Sequence, residues 1–474
     1  MVLGTTSGAG KSWLTTALCR FYADRGLRVA PFKAQNMSNN ARVVDGGEIG
    51  TAQYLQALAA RAAPDVRMNP LLLKPERDTH SQVVLLGRHS EALSRMPWRG
   101  RSAKVWPAVA AAFDELSSAH DVVVLEGAGS PAEINLSPSD IVNMRMARHA
   151  EARCLLVTDI DRGGAFAHLL GTHQLLEKAD RALIQGFVLN KFRGDARLLA
   201  PGPKMLEALT GVPTVATLPM WRGHGLPEED GFFGPSAPPA ASSGHAKTVA
   251  IVAYPRISNL DEFQPLQHVP GVRLVWARTP AELHGADWII LPGSKHTSGD
   301  LEWLRTTRLE RAVVAHAAAG RAVLGVCGGL QMLGQGLSDP HGVDGAGRGL
   351  GLLPLSTTFD SQKTVQRTRA TFERLRGPWA ALSGVEWEGY EIHHGRTELG
   401  SSTRHARVAM RDGLAWQNTR GNVLGLYLHG MFEDPRVIKA LFGAAIPSLD
   451  SVFDGLADSV RRNFRPGVLA GLIR

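Results

Sequence analysis

The sequence predicts an α/β protein made of two doubly wound domains, on three observations. Short apolar runs, of the kind that form parallel strands buried on both faces, alternate with longer helical patterns from end to end. A glycine-rich loop stands at the head of the first series. The stretch Phe233–Gly244, FGPSAPPAASSG, has no periodicity and reads as a linker before a second series.

In the first series the expected strands are Leu27–Ala30, Val122–Leu125, Leu155–Val157 and Phe187–Leu189. Between Ser12 and Gly26 the apolar residues Leu14, Ala17, Leu18 and Phe21 fall at helical spacing, with Gly26 as the expected stop. Only Met1–Leu3 precede Gly4, so the strand feeding the loop is expected to be a stub, truncated or missing its first residues. The second series offers Val249–Ala253, Leu274–Ala277, Trp288–Leu291, Ala322–Val326 and Leu424–Leu428. The expected division is a first domain over 1–232, a linker over 233–246, a second domain over 247–440 and a helical extension over 441–474.

Composition narrows the classes. The 474 residues are 44% hydrophobic and 20% charged, ample for a core and unlike a disordered chain. No stretch approaches the ~18 continuous apolar residues of a spanning helix, and no signal-type apolar core precedes Lys11. Cys19, Cys154 and Cys327 are too scattered for a disulfide framework, which points to a reducing, cytoplasmic setting. Lys and Arg number 52 against 44 Asp and Glu, a net +8. The basic residues form no run and no aromatic interleaving, and an anionic small molecule fits the same charge as well as nucleic acid does, so charge alone decides little; no nucleic-acid or membrane partner is expected.

Gly4-Thr5-Thr-Ser-Gly8-Ala-Gly10-Lys11-Ser12 is a phosphate loop. Its backbone N–H groups and the following helix N-terminus make an anion site, Lys11 reaches the outer phosphates of ATP, and Ser12 is a ligand for Mg²⁺. Five residues separate Gly4 from Gly10, one more than the usual spacing. The second nucleotide element is expected to be a carboxylate at a strand end, holding Mg²⁺ directly or through water, and Glu126, followed by Gly-Ala-Gly129, supplies it. Asp159 and Asp161 are further metal or positioning candidates, or parts of an ordinary turn; Asn190, after its strand, is a candidate for reading the base.

Gly325-Val-Cys327-Gly328-Gly329 lies between a strand and a helical Leu330-Gln-Met-Leu, the elbow that exposes a nucleophile. The helix N-terminus favours a thiolate and offers Gly328 N–H to an oxyanion, while Gly293, at another strand end, gives the second donor. His429, at a late strand end, is the expected base.

Together these residues resemble the cobyric acid synthases, glutamine-dependent amidases of cobalamin biosynthesis. The likeness covers nearly the whole chain. It is carried by the Gly4–Ser12 loop, Pro31–Met37, Asp45–Gly50, Met68–Pro75, Leu125–Leu136, Asp161–Gly164, Gly389–His393 and the Cys327/His429 pair. The resemblance implies a dethiobiotin synthetase-like P-loop domain joined to a class I glutamine amidotransferase domain. It implies that Cys327 and His429 hydrolyse L-glutamine, and that the first domain uses ATP to activate carboxylates of adenosylcobyrinic acid a,c-diamide. Amidation of the b, d, e and g carboxylates would give adenosylcobyric acid. Lys33, Gln35, Asn36, Asn39 and Glu48 are the expected substrate contacts, with Asn69, Lys74 and Gln82 as further candidates.

Two positions depart from the related pattern. Class I amidotransferases carry Glu two residues after the catalytic His, where this chain has Met431, so no third triad member can be assigned and what orients His429 is left open. His394 stands where Met is expected, with no role assigned. Two other readings share parts of the pattern: a cobyrinic acid a,c-diamide synthase and a P-loop switch ATPase of the partition type. The oligomeric state is not legible.

Overall fold

The computed structural model describes residues 1–77, 79–227, 247–400 and 406–473; the expected linker lies outside the described residues, as do 228–232. The first half is built on a parallel sheet. Val2–Gly4, Cys154–Asp159, Ile184–Phe192 and Thr214–Pro219 pair side by side in that order. Val29–Phe32 pairs with Val122–Leu125, and a parallel bridge from Val2 to Glu126 joins this pair to the rest. The stub of a strand is real and central: Val2, Leu3 and Gly4 are buried, and the Met1 ammonium donates to Arg153 O at 2.7 Å. Chain order reverses beside it, so the phosphate loop opens at the topological switch of the sheet, where ligands of such folds bind.

The first helix runs Lys11–Ala23, ending short of Gly26, which takes the left-handed φ of 78° in the turn that follows. A smaller sheet of Gln35–Met37, Leu71–Arg77, His80–Leu85 and Arg88–His89 was not expected, nor was the hairpin Ala41–Val44/Gly47–Gly50. That hairpin turns at Asp45-Gly46-Gly47, where both glycines hold positive φ.

In the second half all five expected strands appear in one seven-stranded sheet. Its order is Val272–Ala277, Lys247–Val252, Trp288–Leu291, Ala322–Val326, Val423–Leu426, Ala415–Asn418, Ala406–Met410. The first five are parallel; the last two run antiparallel and were not foreseen. A long antiparallel hairpin, Leu355–Thr371 with Glu386–Leu399, projects from this half.

The end of the chain does not stay with the second half. Helix Leu449–Asn463 returns to the first and packs on Lys11–Ala23, with Phe453, Leu456 and Val460 in one core with Leu14, Leu18 and Phe21. Arg20 pairs with Asp450 at 3.1 Å and Asp454 at 2.8 Å, and Tyr22 OH donates to Leu469 O at 2.8 Å.

Candidate active site

The phosphate loop is held in place by its own chain and side chains. Gly10, at φ 98°, turns the chain into the first helix, and Lys11 Nζ bonds to Thr6 O (3.0 Å) and Gly129 O (3.1 Å). Ser12 Oγ donates to Glu126 Oε1 at 2.8 Å, Lys33 Nζ to the same oxygen at 2.9 Å, and Gln56 Nε2 to Glu126 Oε2 at 2.5 Å. Burial would raise the Glu126 carboxyl, but Lys33 and the hydrogen bonds outweigh it and hold the group below its ordinary range. A hydroxyl and an ionised carboxylate side by side at the loop form an oxygen-only donor set, which suits Mg²⁺ that takes its other ligands from phosphate and water. No cluster of three or more His, Cys, Asp or Glu able to hold a metal occurs among the described residues.

The loop opens into a cleft of about 1160 Å³, lined by both halves of the molecule. Gly8, Gly10, Lys11, Ser12, Glu126, Asn190, Asp159 and Asp161 border it, as do Lys33, Gln35 and Asn36; Leu260, Asp261 and Gln264 come from the second half. Several expected contacts lie elsewhere. Gly4 sits beneath the loop against the Lys11 stem, and the Thr5 hydroxyl is spent on Thr158 Oγ1 at 3.0 Å. Asn190 borders the cleft but braces the loop, donating to Ala9 O at 2.9 Å while its Oδ1 takes Lys191 N–H. Asn69 is structural: it donates to Lys33 O and Leu71 O and accepts from Gly50 N–H. Glu48 and Lys74 form a buried 2.6 Å pair, shared with Lys363 of the second half, so they tie the halves together instead of facing substrate. Asn39 does not border the cleft, and Gln82 accepts from Lys295 Nζ across the same interface at 2.9 Å.

Cys327 stands on a strained turn at φ 51°, ψ −106°, between strand Ala322–Val326 and helix Gly328–Leu333. A non-glycine residue there costs roughly 1–3 kcal/mol, retained only where the surroundings over-determine it. Glycines make the elbow possible: a Cβ on Gly329 would lie 1.9 Å from Leu291 O, and one on Gly328 2.8 Å from Ser294 N. Gly293 lies against the histidine, since a Cβ there would approach His429 Cε1 to 2.9 Å. Cys327, Gly328, Gly293 and His429 therefore meet, as expected, at neighbouring strand ends.

What the sequence left unassigned is Glu262. Fully buried in the short helix Leu260–His268, it accepts from His429 Nδ1 at 2.7 Å through Oε1 and from Gly430 N–H at 2.8 Å through Oε2. Burial opposes charge on His429, but Glu262 first and then Cys327 push its pKa up to about 10. The imidazole is thus held protonated on its Glu262 side, while the Cys327 thiol, whose Sγ donates to Ile392 O at 3.8 Å, adds to the upward push. On the opposite face the Tyr390 ring stacks on His429, with centroids 5.3 Å apart and planes at 22°. Met431, in the position usual for the third residue, is a buried apolar side chain.

This geometry can be set beside known proteins. Residues 1–222 match the family model described as CobQ/CobB/MinD/ParA nucleotide binding domain, and residues 248–437 match the CobB/CobQ-like glutamine amidotransferase domain. The chain is 71% identical over 474 residues to the cobyric acid synthase of Variovorax paradoxus (strain S110), covering 100% of this chain and 98% of the relative. The chain belongs to the cobyric acid synthase family. Further cobyric acid synthases, from Polaromonas sp. (strain JS666 / ATCC BAA-500) and Polaromonas naphthalenivorans (strain CJ2), are 68% and 69% identical, covering 100% of this chain and 98% and 99% of theirs. Full-length coverage by cobyric acid synthases makes this a glutamine-hydrolysing, amidating enzyme and disfavours a partition-type switch ATPase. No helix among the described residues is long and apolar enough to cross a membrane.

Proposed function

We propose that this chain amidates the b, d, e and g carboxylates of adenosylcobyrinic acid a,c-diamide in the cytoplasm, using ATP and glutamine. The observation that carries the reading is the joining of a Cys327–His429–Glu262 array to a phosphate-loop cleft, each half closing part of the same interface.

In the glutaminase half, Cys327 Sγ attacks the side-chain carbonyl of glutamine. The N–H groups of Gly328 and of the Gly293–Ser294 segment receive the oxyanion that forms. His429 passes its proton to the departing nitrogen, the C–N bond breaks, and ammonia leaves behind a glutamyl thioester. Water, giving its proton to His429, then cleaves the thioester to glutamate.

In the synthetase half the difficulty is that a carboxylate is a poor electrophile. Transfer of the γ-phosphoryl group of ATP to a substrate carboxylate oxygen makes an acyl phosphate and releases ADP, with the loop N–H groups and Lys11 holding the phosphates. Mg²⁺, held by Ser12 and Glu126, would add neutralisation of phosphate charge. Ammonia adds to the acyl carbon, phosphate departs, and one proton is lost, leaving the amide. A cleft of about 1160 Å³ exceeds the ~300–1,000 Å³ of ordinary ligand pockets, as a nucleotide together with a tetrapyrrole-sized substrate requires. Its cations, Lys11, Lys33 and Lys191 among them, suit a polycarboxylate.

Mass spectrometry of the product after incubation with the a,c-diamide, ATP and glutamine tests the reading. Four amidations are expected; two amidations on the unamidated acid instead would reassign the chain as a cobyrinic acid a,c-diamide synthase.

A further inference from the structure

One buried cation is not used by these steps. Arg42, 4% exposed, comes from the hairpin of the nucleotide-binding half, yet most of its partners belong to the other half. Its guanidinium donates to Tyr390 OH and to the carboxylates of Asp261 and Glu433; within its own half it reaches Thr51 Oγ1 at 3.4 Å.

Each partner is one step from the catalytic histidine. Tyr390 stacks on His429 and exchanges main-chain hydrogen bonds with it, at 3.3 Å and 2.9 Å. Asp261 precedes Glu262, and Glu433 lies in the Met431–Glu433 turn that follows His429-Gly430. Two asparagines fasten the same strip across the interface: Asn259 Oδ1 accepts from Ala41 N–H at 2.9 Å, and Asn40 Oδ1 from Leu260 N–H at 3.1 Å. Within that strip neighbouring residues serve different centres, Asp261 bordering the nucleotide cleft and Glu262 holding His429.

The other end of the hairpin leads to the phosphate loop. It runs directly into helix Thr51–Ala59, where Asn36 donates to Gln53 (3.2 Å), Gln53 to Gln56 (3.5 Å) and Gln56 to Glu126 (2.5 Å).

We propose that Arg42 is a positioning residue of the glutaminase supplied by the synthetase half: it fixes Tyr390 and the Asp261–Glu262 strip so that His429 is aimed at Cys327. Glutamine hydrolysis is then competent only while the halves are docked. The physical reason is charge. Asp261, Glu262 and Glu433 gather around Tyr390, the ring stacked on His429, and Arg42 pairs with the two that do not orient the imidazole. Without it, uncompensated carboxylates compete with Glu262 and the strip shifts. The inference rests on reading Cys327 and His429 as the glutaminase.

The test measures glutamine hydrolysis, glutamine-supported amidation and ammonium-supported amidation in the full-length enzyme. Arg42→Ala is expected to lower kcat for both glutamine reactions by ~10–100-fold, the loss typical of charged hydrogen bonds, while ammonium-supported amidation and the KM for ATP stay within ~2-fold. Arg42→Lys is expected to recover part of the loss, since an ammonium reaches one carboxylate but cannot span the fork. Tyr390→Phe, which removes only the hydroxyl, is expected to lower glutamine turnover by a smaller factor and spare the ammonium reaction. Equal loss from both nitrogen sources, or unchanged glutamine turnover in Arg42→Ala, overturns the assignment. If Arg42→Ala does not fold, unchanged turnover in Tyr390→Phe overturns it alone. Cys327→Ala separates the two levels: glutamine turnover surviving in that variant defeats the glutaminase reading itself, whatever Arg42 does.

Discussion

Glu262 Oε1 stands 2.7 Å from His429 Nδ1, across 167 residues of sequence. The carboxylate arrives from a short helix at the opposite end of the domain, while the position two residues after the histidine is filled by buried Met431. The same orienting task is met from a different place in the chain, because what matters is where the oxygen lies and not which residue number brings it.

Glu262→Gln keeps the shape but loses the charge that stabilises the imidazolium. Glutamine-dependent turnover is expected to fall by roughly 10²–10⁴-fold, the range of general acid–base contributions, with ammonium-dependent amidation retained. Steady-state assays with the two nitrogen sources decide; equal turnover of variant and parent with glutamine would remove Glu262 from the array.

The same variant gives a pH-dependent stability difference. His429 is raised from 6.5 to about 10, so its partners contribute stability that is complete below about pH 6.5 and fades as pH climbs through 10. Breaking this buried pair should cost about 3–5 kcal/mol near pH 6, and the gap between parent and Glu262→Gln should narrow toward pH 10. Urea midpoints measured across that span test it, and a constant gap would contradict the assignment of the raised group.

Cys327→Ser is expected to abolish glutamine use and keep amidation from added ammonium, since the reaction at the phosphate loop does not involve the thiol. Lys11→Ala is expected to remove amidation from either source. Product analysis with both nitrogen donors checks both variants; a Cys327→Ser enzyme dead with ammonium would refute two separable centres.

Leu456→Ala probes the returning C-terminal helix. Leu456 is fully buried against the first helix, so the change should cost about 2–5 kcal/mol. ATP binding should weaken before glutamine hydrolysis does, as followed by titration and activity on heating. Loss of glutamine hydrolysis first would place the helix's support with the other half.

Much of this was legible in the sequence. Parallel strands buried on both faces give uninterrupted apolar runs, so Val122–Leu125, Trp288–Leu291 and Ala322–Val326 are found at the bounds expected. The loop, Cys327 and His429 are legible because each needs glycine or a special residue at a strand end. The long hairpin Leu355–Thr371/Glu386–Leu399 was not, for its polar faces lack a continuous apolar signal. Nor were the interface pairs: Glu48 and Lys74 look like ligands for an anionic substrate until Lys363 arrives from the other half. Glu262 and Arg42 were hidden for the same reason, their partners lying 167 residues away for the first and 219 to 391 for the second.

Because helix Leu449–Asn463 is seated on the first helix, the amidotransferase unit is moored to its neighbour at both of its ends. A covalent connection at one end and a helix packed through apolar contacts and ion pairs at the other raise the effective concentration of each surface for the other, so contacts too weak to hold free subunits together suffice here. That explains how a seam built from buried ions and amides, and not from a broad greasy surface, can keep two reaction centres in register.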